Sequence, residues 1–509
     1  MSEGQTGGNY SELIKIAKGL ADSEVVFRGT FVNSTPWWGG NYKGNVLELE
    51  GEQNPSYAYV TMPEAKSITG KTVWFMRTVR GDGFLKEMGI LDDERNKQRS
   101  KVSVIVRGQP VRVDLDSGKA DGKDVLYLKK KDLKTLDEAL ESKGGKVYKL
   151  CRENEVKEIE EFLSVFCIPR VFLRVGDILS KAYKNNKGFE SRYLKFLEVM
   201  SKLPVKPNTV SFEVEVRAGR GSESLAMEFT KGLLFTMYYL GIGNGANRGF
   251  GRFKLIKVDK VSQGITTDPR KVLESFTPFK RDDSFPGYKG KLELVRMKGG
   301  VEKVLKCVGE ATTKIKWKTQ PRSCGKDLDT WVLGLPRRGK ESLEGCNSVD
   351  TKEAKQIAGD KFEKLFTEDD DQVNLKSGYS FFIGDSEVCR RQSYVVLSVN
   401  EEGGEHVVYA LIFIPDKPDT EVVTEGFFVG LHGHKSANNC KIEVKDVLSK
   451  VNAVVLNKLI EDAINRVKHY LVKCRSQGGS SQGGGTGRGQ GFGGYNRGHY
   501  PYREGRRGR

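Results

Sequence analysis

The stretch from 209 to 258 limits the fold more than any other part of the chain. Thr209–Arg217 (TVSFEVEVR) alternates apolar and polar residues with period two, as a half-buried strand does. Ser222 then stands at the N-cap position of a helix expected to run to Leu240, with Leu225, Phe229, Leu233 and Met237 along one face. Next comes Gly241-Ile242-Gly243-Asn244-Gly245-Ala246-Asn247-Arg248-Gly249-Phe250-Gly251, and Gly251–Val258 (GRFKLIKV) resumes as a strand. Strand, helix, glycine loop, strand is one half of a βαββαβ unit. The earlier strand Glu24–Asn33 (EVVFRGTFVN), a helix at about Ile68–Arg80 and a middle strand supply the other half. By composition the glycine loop (Gly241, Gly243, Gly245, Gly249, Gly251) is either a linker or a cradle whose bare backbone amides suit phosphate. The helix before it, the strand after it and the arginine inside it favour a structural RNA-facing loop, whose amides either touch phosphate or let two subunits approach closely.

The rest of the chain divides around this unit. Residues 1–22 read as an N-terminal extension and 23–259 as a first α+β domain. Within that domain Ser100–Val106 and Val111–Leu115 read as paired strands joined by a Gly-Gln-Pro turn, and about 120–205 as a charged helical insertion ending in a helix over Gly188–Leu203. Residues 260–287 form a connection broken by prolines. A second α+β domain follows at 288–475, with strands expected at Lys291–Met297, Glu302–Val308, Asp329–Leu335, Ser393–Asn400 and His406–Pro415 and helices at 351–366 and 443–471. From 476 to 509 the Gly/Ser/Gln/Arg/Tyr-rich tail cannot form a core and reads as disordered and RGG-like.

The chain carries 84 Lys+Arg against 67 Asp+Glu, a net charge of +17, and the tail supplies +5 of it. The folded body is therefore basic in its own right, which favours an anionic partner, nucleic acid ahead of a membrane surface. No apolar run is long enough to span a bilayer and no signal-peptide pattern is present, so a cytoplasmic location is expected. The eight cysteines form no CxxC pair, which makes reduced thiols the expectation and zinc an unsupported one. All five histidines lie beyond residue 400, so the first domain has no imidazole base; His432 and His434 with Cys440 lack a fourth ligand. No catalytic constellation, metal or cofactor is expected.

Binding signals are better represented. Trp37 and Trp38 stand in a turn after the first strand, where indole rings can stack on bases. Arg77 and Arg80 fall on the first helix, and Arg248 and Arg252 in or just after the glycine loop. Arg337 with Arg338, and Arg390 with Arg391, recur at junctions in the second half. With Gly243 these residues describe a phosphate-binding track. Ala65-Lys66-Ser67-Ile68-Thr69-Gly70-Lys71-Thr72 matches a loose phosphate-loop spacing, with alanine for the first glycine and Pro63-Glu64 where a buried strand would be needed, so ATP binding at Lys71 is a minor alternative.

These residues carry a resemblance. Gly241-x-Gly243 followed by Arg248-Gly249-Phe250-Gly251, after a helix and before a strand, resembles the glycine loop of the RAMP superfamily, the ferredoxin-like (RRM-like) RNA-binding subunits of CRISPR effector complexes. Thr35-Pro36-Trp37-Trp38-Gly39-Gly40, Gly70-x-x-x-Trp74-Phe75-x-Arg77, Ser100-Lys101-Val102, Leu333-Gly334-Leu335-Pro336 and Arg390-Arg391-Gln392-Ser393 make the chain most similar to the subunit-one family of the type III-B (Cmr) complex. It departs from that pattern at Met88-Gly89-Ile90, in the 120–205 insertion and in the tail. The resemblance implies two ferredoxin-like domains in one chain and a non-catalytic subunit that caps a CRISPR RNA-guided filament near the guide 3′ end. Its implied partners are guide RNA, target RNA and the other RAMP subunits. A RAMP endoribonuclease that processes CRISPR RNA precursors is the alternative within the same superfamily.

Overall fold

A computed structural model describes residues 23–316, 366–388, 394–416, 428–430 and 453–477, apart from breaks at 40–44, 52–53, 91–99, 148, 151–155, 167–174, 177, 180, 184, 186–187, 282–284, 370–371, 376–377, 384–385 and 415. The architecture is α+β with antiparallel sheets. The first half contains strands β1 (Glu24–Asn33), β2 (Leu47–Leu49), β3 (Tyr57–Val60), β4 (Val102–Arg107), β5 (Val111–Asp114), β6 (Lys119–Ala120), β7 (Lys123–Asp124), β8 (Ser211–Ala218) and β9 (Phe253–Val261). Its helices are α1 (Ala65–Glu87), α2 (Leu133–Ser142), α3 (Glu160–Phe166), α4 (Phe189–Lys202) and α5 (Glu223–Phe235).

The main sheet has the order β4-β8-β1-β9, with α1 between β1 and β4 in the chain and α5 between β8 and β9. Its inner face is built by period-two alternation. Phe212, Val214 and Val216 of β8 are buried beside Phe27 and Phe31 of β1, and α5 packs on those two strands. Helix α1 runs three residues further at its start and seven at its end than its sequence pattern suggested, with a kink at Gly81, where φ is 76°. Helix α5 closes with a π turn, Thr236–Leu240, which carries Tyr238 and Tyr239 to the carbonyls of Thr267 and Pro269 at 2.9 Å each. That tie fixes the start of the connection and its short helix α6 (Pro269–Glu274).

Two strand expectations need correction. β4 and β5 are consecutive in the chain but do not pair with each other. β4 lies against β8, whereas β5 joins a five-stranded sheet of order β2-β3-β5-β6-β7. The Gly-Gln-Pro segment is therefore a crossing between sheets rather than a hairpin turn. Glu302–Val308, expected as a strand, lies in helix α7 (Val301–Lys316). Val301, Val304, Leu305 and Val308 are buried at helical spacing, and this period decides over the β-branched content that suggested a strand.

In the second half, β10 (Gly287–Met297), β16 (Glu405–Ile414) and β15 (Val395–Glu402) form a sheet in the order β10-β16-β15. Helix α7 packs against the C-terminal helix α8 (Ala453–Gln477). Between β10 and β15 lie the short strands β11 (Phe366–Asp369), β12 (Gln372–Leu375), β13 (Gly378–Ile383) and β14 (Ser386–Val388), and β17 (Phe428–Gly430) pairs with β13. Cys307 of α7 and Cys474 of α8 are disulfide-bonded with Cα atoms 6.0 Å apart, which replaces the expectation of reduced thiols at these two positions. The strand expected at Asp329–Leu335, the helix at 351–366 except its last residue, residues 1–22 and the tail beyond 477 lie outside the described residues.

One core runs through both halves. Phe75 of α1 stacks on Phe235 of α5 with centroids 4.1 Å apart, and Phe276 and Tyr288 meet this pair edge-on. Trp74 reaches across to Phe413 of β16 at 5.0 Å. The aromatic seam thus joins α1 and α5 to the second sheet.

Candidate nucleic-acid interface

The glycine loop fills the joint between the two halves. All five of its sequence-named glycines have positive φ, and two show why nothing larger fits. A Cβ on Gly251 (φ 65°) would stand 1.9 Å from the Ile242 carbonyl oxygen. A Cβ on Gly249 (φ 92°) would stand 2.6 Å from Cγ2 of Val399 and 2.8 Å from Cδ2 of Leu305, both in the second half. The loop's amides serve the protein itself. Asn244 N–H donates to the Trp38 carbonyl at 2.6 Å, Gly251 N–H to Pro36 at 3.1 Å and Ile242 N–H to Gly251 at 2.9 Å. Expected as a structural RNA-facing loop, it is closed against the Thr35–Gly39 turn.

Arg252 is the centre of this closure. Its side chain is completely buried, and all five guanidinium N–H groups are used. Nε donates to the Ser398 hydroxyl at 3.1 Å. Nη1 donates to the carbonyls of Leu240 (2.7 Å) and Phe250 (2.9 Å), and Nη2 to those of Ala246 (2.8 Å) and Leu397 (3.1 Å). No carboxylate is among these partners, and burial pulls the guanidinium down to about 9. One cation therefore ties the end of the π turn, two points of the glycine loop and strand β15. Arg248, 7% exposed, bridges the same joint: its backbone pairs with Leu397 and its Nε donates to the Thr312 hydroxyl at 3.2 Å.

Each remaining site residue has a definite position. Trp37 and Trp38 are both 2% exposed, with indole N–H groups bonded to the carbonyls of Thr61 (3.0 Å) and Lys202 (3.1 Å) and rings packed on Phe253 and Phe250. Neither ring presents a face to a base; the pair is core under the glycine loop. Arg77 makes a two-pronged bond to Asp82 at 2.8 Å each and lies over the Phe285 ring at 4.0 Å, which holds the Asp82 carboxyl at about 2. Arg80 pairs with Glu228. Arg337, Arg338, Arg390 and Arg391 lie outside the described residues, as do His432, His434 and Cys440.

Lys71 sits in the second turn of α1, so Ala65–Thr72 is helix rather than a phosphate loop, and the Thr72 hydroxyl is spent on the Ile68 carbonyl at 2.9 Å. Burial, and secondarily the charge of Arg252, lowers the Lys71 ammonium to about 8; it lies 4.6 Å from the Trp74 ring. This arrangement gives ATP no loop to bind.

The sequence reading missed a charge cluster on the face of the main sheet opposite α5. The completely buried Glu215 side chain of β8 accepts from Arg28 Nε at 2.7 Å, Arg217 Nε at 2.5 Å and Arg107 Nη1 at 3.1 Å, and Arg107 also reaches Glu213 at 2.9 Å. Burial alone would raise the Glu215 carboxyl, but these charge-assisted bonds outweigh it and hold it at about 2. The alternation of TVSFEVEVR signalled that Glu213, Glu215 and Arg217 share a face. Arg28 and Arg107 come from two other strands, whose neighbours only the sheet order reveals.

No family model and no curated protein sequence matches the chain. Among solved structures it is similar to a chain of the type III-B Cmr-beta complex bound to cognate target RNA and AMPPnP (TM-score 0.40, 12% identity, covering 89% of this chain and 99% of that one). It is likewise similar to a chain of type III-B Cmr-beta bound to cognate target RNA (0.40, 12%, 87% and 100%), and to apo Cmr1 from Pyrococcus furiosus (0.34, 13%, 86% and 95%).

Proposed function

We propose that this chain is a non-catalytic RNA-binding subunit of a type III-B CRISPR RNA-guided interference complex, placed at the end of the complex near the guide 3′ end. The observation that carries the reading is the topology of the first half. Four antiparallel strands lie in the order β4-β8-β1-β9 with a helix after the first and third in sequence. This is a ferredoxin-like arrangement, and the glycine-rich loop occurs between its second helix and its last strand, where the RAMP resemblance requires it. The net charge of +17 supports an RNA partner. In this reading the glycine loop shapes the subunit and joins its halves, and RNA is met elsewhere on the surface. Contacts to phosphate and sugar suit a subunit that must accept any guide sequence.

The test is to purify the tagged full chain from cells carrying a type III-B locus, identify co-purifying proteins by mass spectrometry and sequence the bound RNA. Recovery of other RAMP subunits together with RNAs sharing a repeat-derived tag is the expected result; recovery of neither refutes the assignment. Incubation of the pure chain with precursor RNA in chelator separates binding from processing, since cleavage there would make it the endoribonuclease of the alternative reading.

A further inference from the structure

The main sheet's face opposite α5 has a feature that strand periodicity hides. Lys254, Lys257 and Lys260 recur every third residue along β9, a spacing that would send them alternately to opposite faces of a regular strand. Two irregularities in the β1–β9 pairing change that outcome. Lys254 lies opposite Val32, Lys257 opposite Thr30 and Lys260 opposite Arg28, with Ile256 and Asp259 left over as the extra residues. Val32, Thr30 and Arg28 alternate with the buried Phe31 and Gly29, so all three lysines stand on the outer face.

Across the sheet that face continues through Arg28, opposite Glu215, and Arg107, opposite Glu213. Six cations (Arg28, Arg107, Arg217, Lys254, Lys257 and Lys260) therefore share it with Glu213 and Glu215, while Asp259 reaches Lys257 at 2.7 Å and Glu24 reaches Lys260 at 3.8 Å. The three lysines are exposed, the Lys257 side chain by 69%, and β9 is the outermost strand. Outer positions two residues apart on β1 place the lysines about 7 Å from one another along the strand, a step comparable to one nucleotide of an extended chain. β9 also exposes Ile256, the extra residue of the first bulge, and Val258 and Val261 opposite the inner positions Gly29 and Phe27, whereas its paired outer positions among the described residues are the three lysines. Among the described residues the paired outer positions also carry no aromatic ring on which a base could stack.

We infer that this face is a track for the phosphate backbone of single-stranded RNA, with Lys254, Lys257 and Lys260 as its row of phosphate contacts and the Glu215-anchored arginines as its fixed border. The inference rests on the RNA-binding reading above and locates it. Recognition along such a track is indifferent to base sequence.

The experiment measures fluorescence anisotropy of two labelled single-stranded RNAs of unrelated sequence against the full chain, across a salt titration. Lys254→Gln/Lys257→Gln/Lys260→Gln removes three charges from exposed positions, and its thermal melt checks the fold. Lys257→Gln alone serves if the triple variant melts early, with about one third of the slope change expected. The triple variant is expected to flatten the log–log salt slope by about 2 and to weaken binding by roughly 10- to 50-fold at 0.15 M salt, equally for both RNAs. The matching Lys→Arg triple variant is expected to bind like the parent. Unchanged affinity and slope in a folded Gln variant, with the parent binding RNA, overturns the track and leaves the function standing. No RNA binding by the parent chain overturns both. Unchanged RNA binding combined with lost retention of an acidic polypeptide overturns the track in favour of a protein-docking face.

Discussion

Replacing Arg252 with methionine tests the structure at its most exposed assumption, that a cation named by sequence as an RNA contact is the fastener between two halves. Methionine keeps much of the stem's bulk and removes five donors. Four carbonyls and one hydroxyl then lose their partner, at about 1–3 kcal/mol for each buried acceptor left unsatisfied. Against this stands relief from burying an unpaired cation. A guanidinium held near 9 instead of 12.5 carries a penalty of about 5 kcal/mol at roughly 1.4 kcal/mol per pH unit. At about 2 kcal/mol for each of the five acceptors, the difference leaves a net loss of about 5 kcal/mol, large beside the 5–15 kcal/mol typical of a folded domain. Arg252→Lys keeps the charge but offers three donors for five acceptors and should fall between variant and parent. Guanidinium denaturation gives the loss, and calorimetry should show one transition of the parent splitting into two as the halves uncouple. A variant within about 1 kcal/mol of the parent refutes the fastener. So does one that melts normally yet loses RNA, because that outcome puts the side chain back in the RNA path.

Three further outcomes follow from the same geometry. Gly251→Ala adds a Cβ 1.9 Å from the Ile242 carbonyl at a φ of 65°, so it should cost several kcal/mol by denaturant melt, whereas alanine at Gly70, an exposed position inside α1 where no neighbouring atom lies within 4 Å of the added carbon apart from its own helix, should stabilise by about 0.5–1 kcal/mol. The Glu215 carboxyl sits at about 2 against an ordinary 4.5, so its folded-state contribution is fully present above pH 4.5 and lost as pH falls through 2. Glu215→Gln should flatten stability against pH in that window by up to about 3 kcal/mol, read by urea midpoints at pH 2 to 5. Reductant should lower stability by about 2–4 kcal/mol through the Cys307–Cys474 link, an effect absent from Cys474→Ser, with the bond confirmed by the peptide mass shift on reduction.

The sequence made local alternation visible and hid what depends on partners. β1 falls where its β-branched run placed it, and β8 carries buried Phe212, Val214 and Val216 at the period-two positions of TVSFEVEVR. The glycine loop was readable as a place of positive φ and close approach, because only glycine tolerates both. What it approaches was not readable. Leu305 and Val399 belong to a segment far along the chain, and the choice between a ligand and another part of the protein is set by tertiary packing. The same reason moved Trp37 and Trp38 from surface to core. A tryptophan pair beside a glycine turn reads alike in either setting until Thr61 and Lys202 supply carbonyls for the indole N–H groups.

A basic chain can place its charge in two ways, and this one uses both. Cations that stand next to glycine-rich backbone, such as Arg248 and Arg252, find carbonyl oxygens close by and are drawn inside; a planar five-donor fork satisfies several at once where an ammonium could not. The lysines of the edge strand β9 meet only exposed carboxylates among the described residues and stay in water, where their spacing rather than their burial decides what they bind. Here that spacing is set by two bulges, each inserting one residue between successive lysines, so the strand that looks least regular presents the most regular row of charge. Deleting Ile256 would restore regular pairing at the first bulge and leave Lys254 and Lys257 two residues apart, on the same outer face, so the row survives without the bulge. If the lysine row holds RNA, that deletion should leave affinity and salt slope close to those of the parent in the anisotropy titration, and a loss as large as that from removing the Lys254 charge refutes the row.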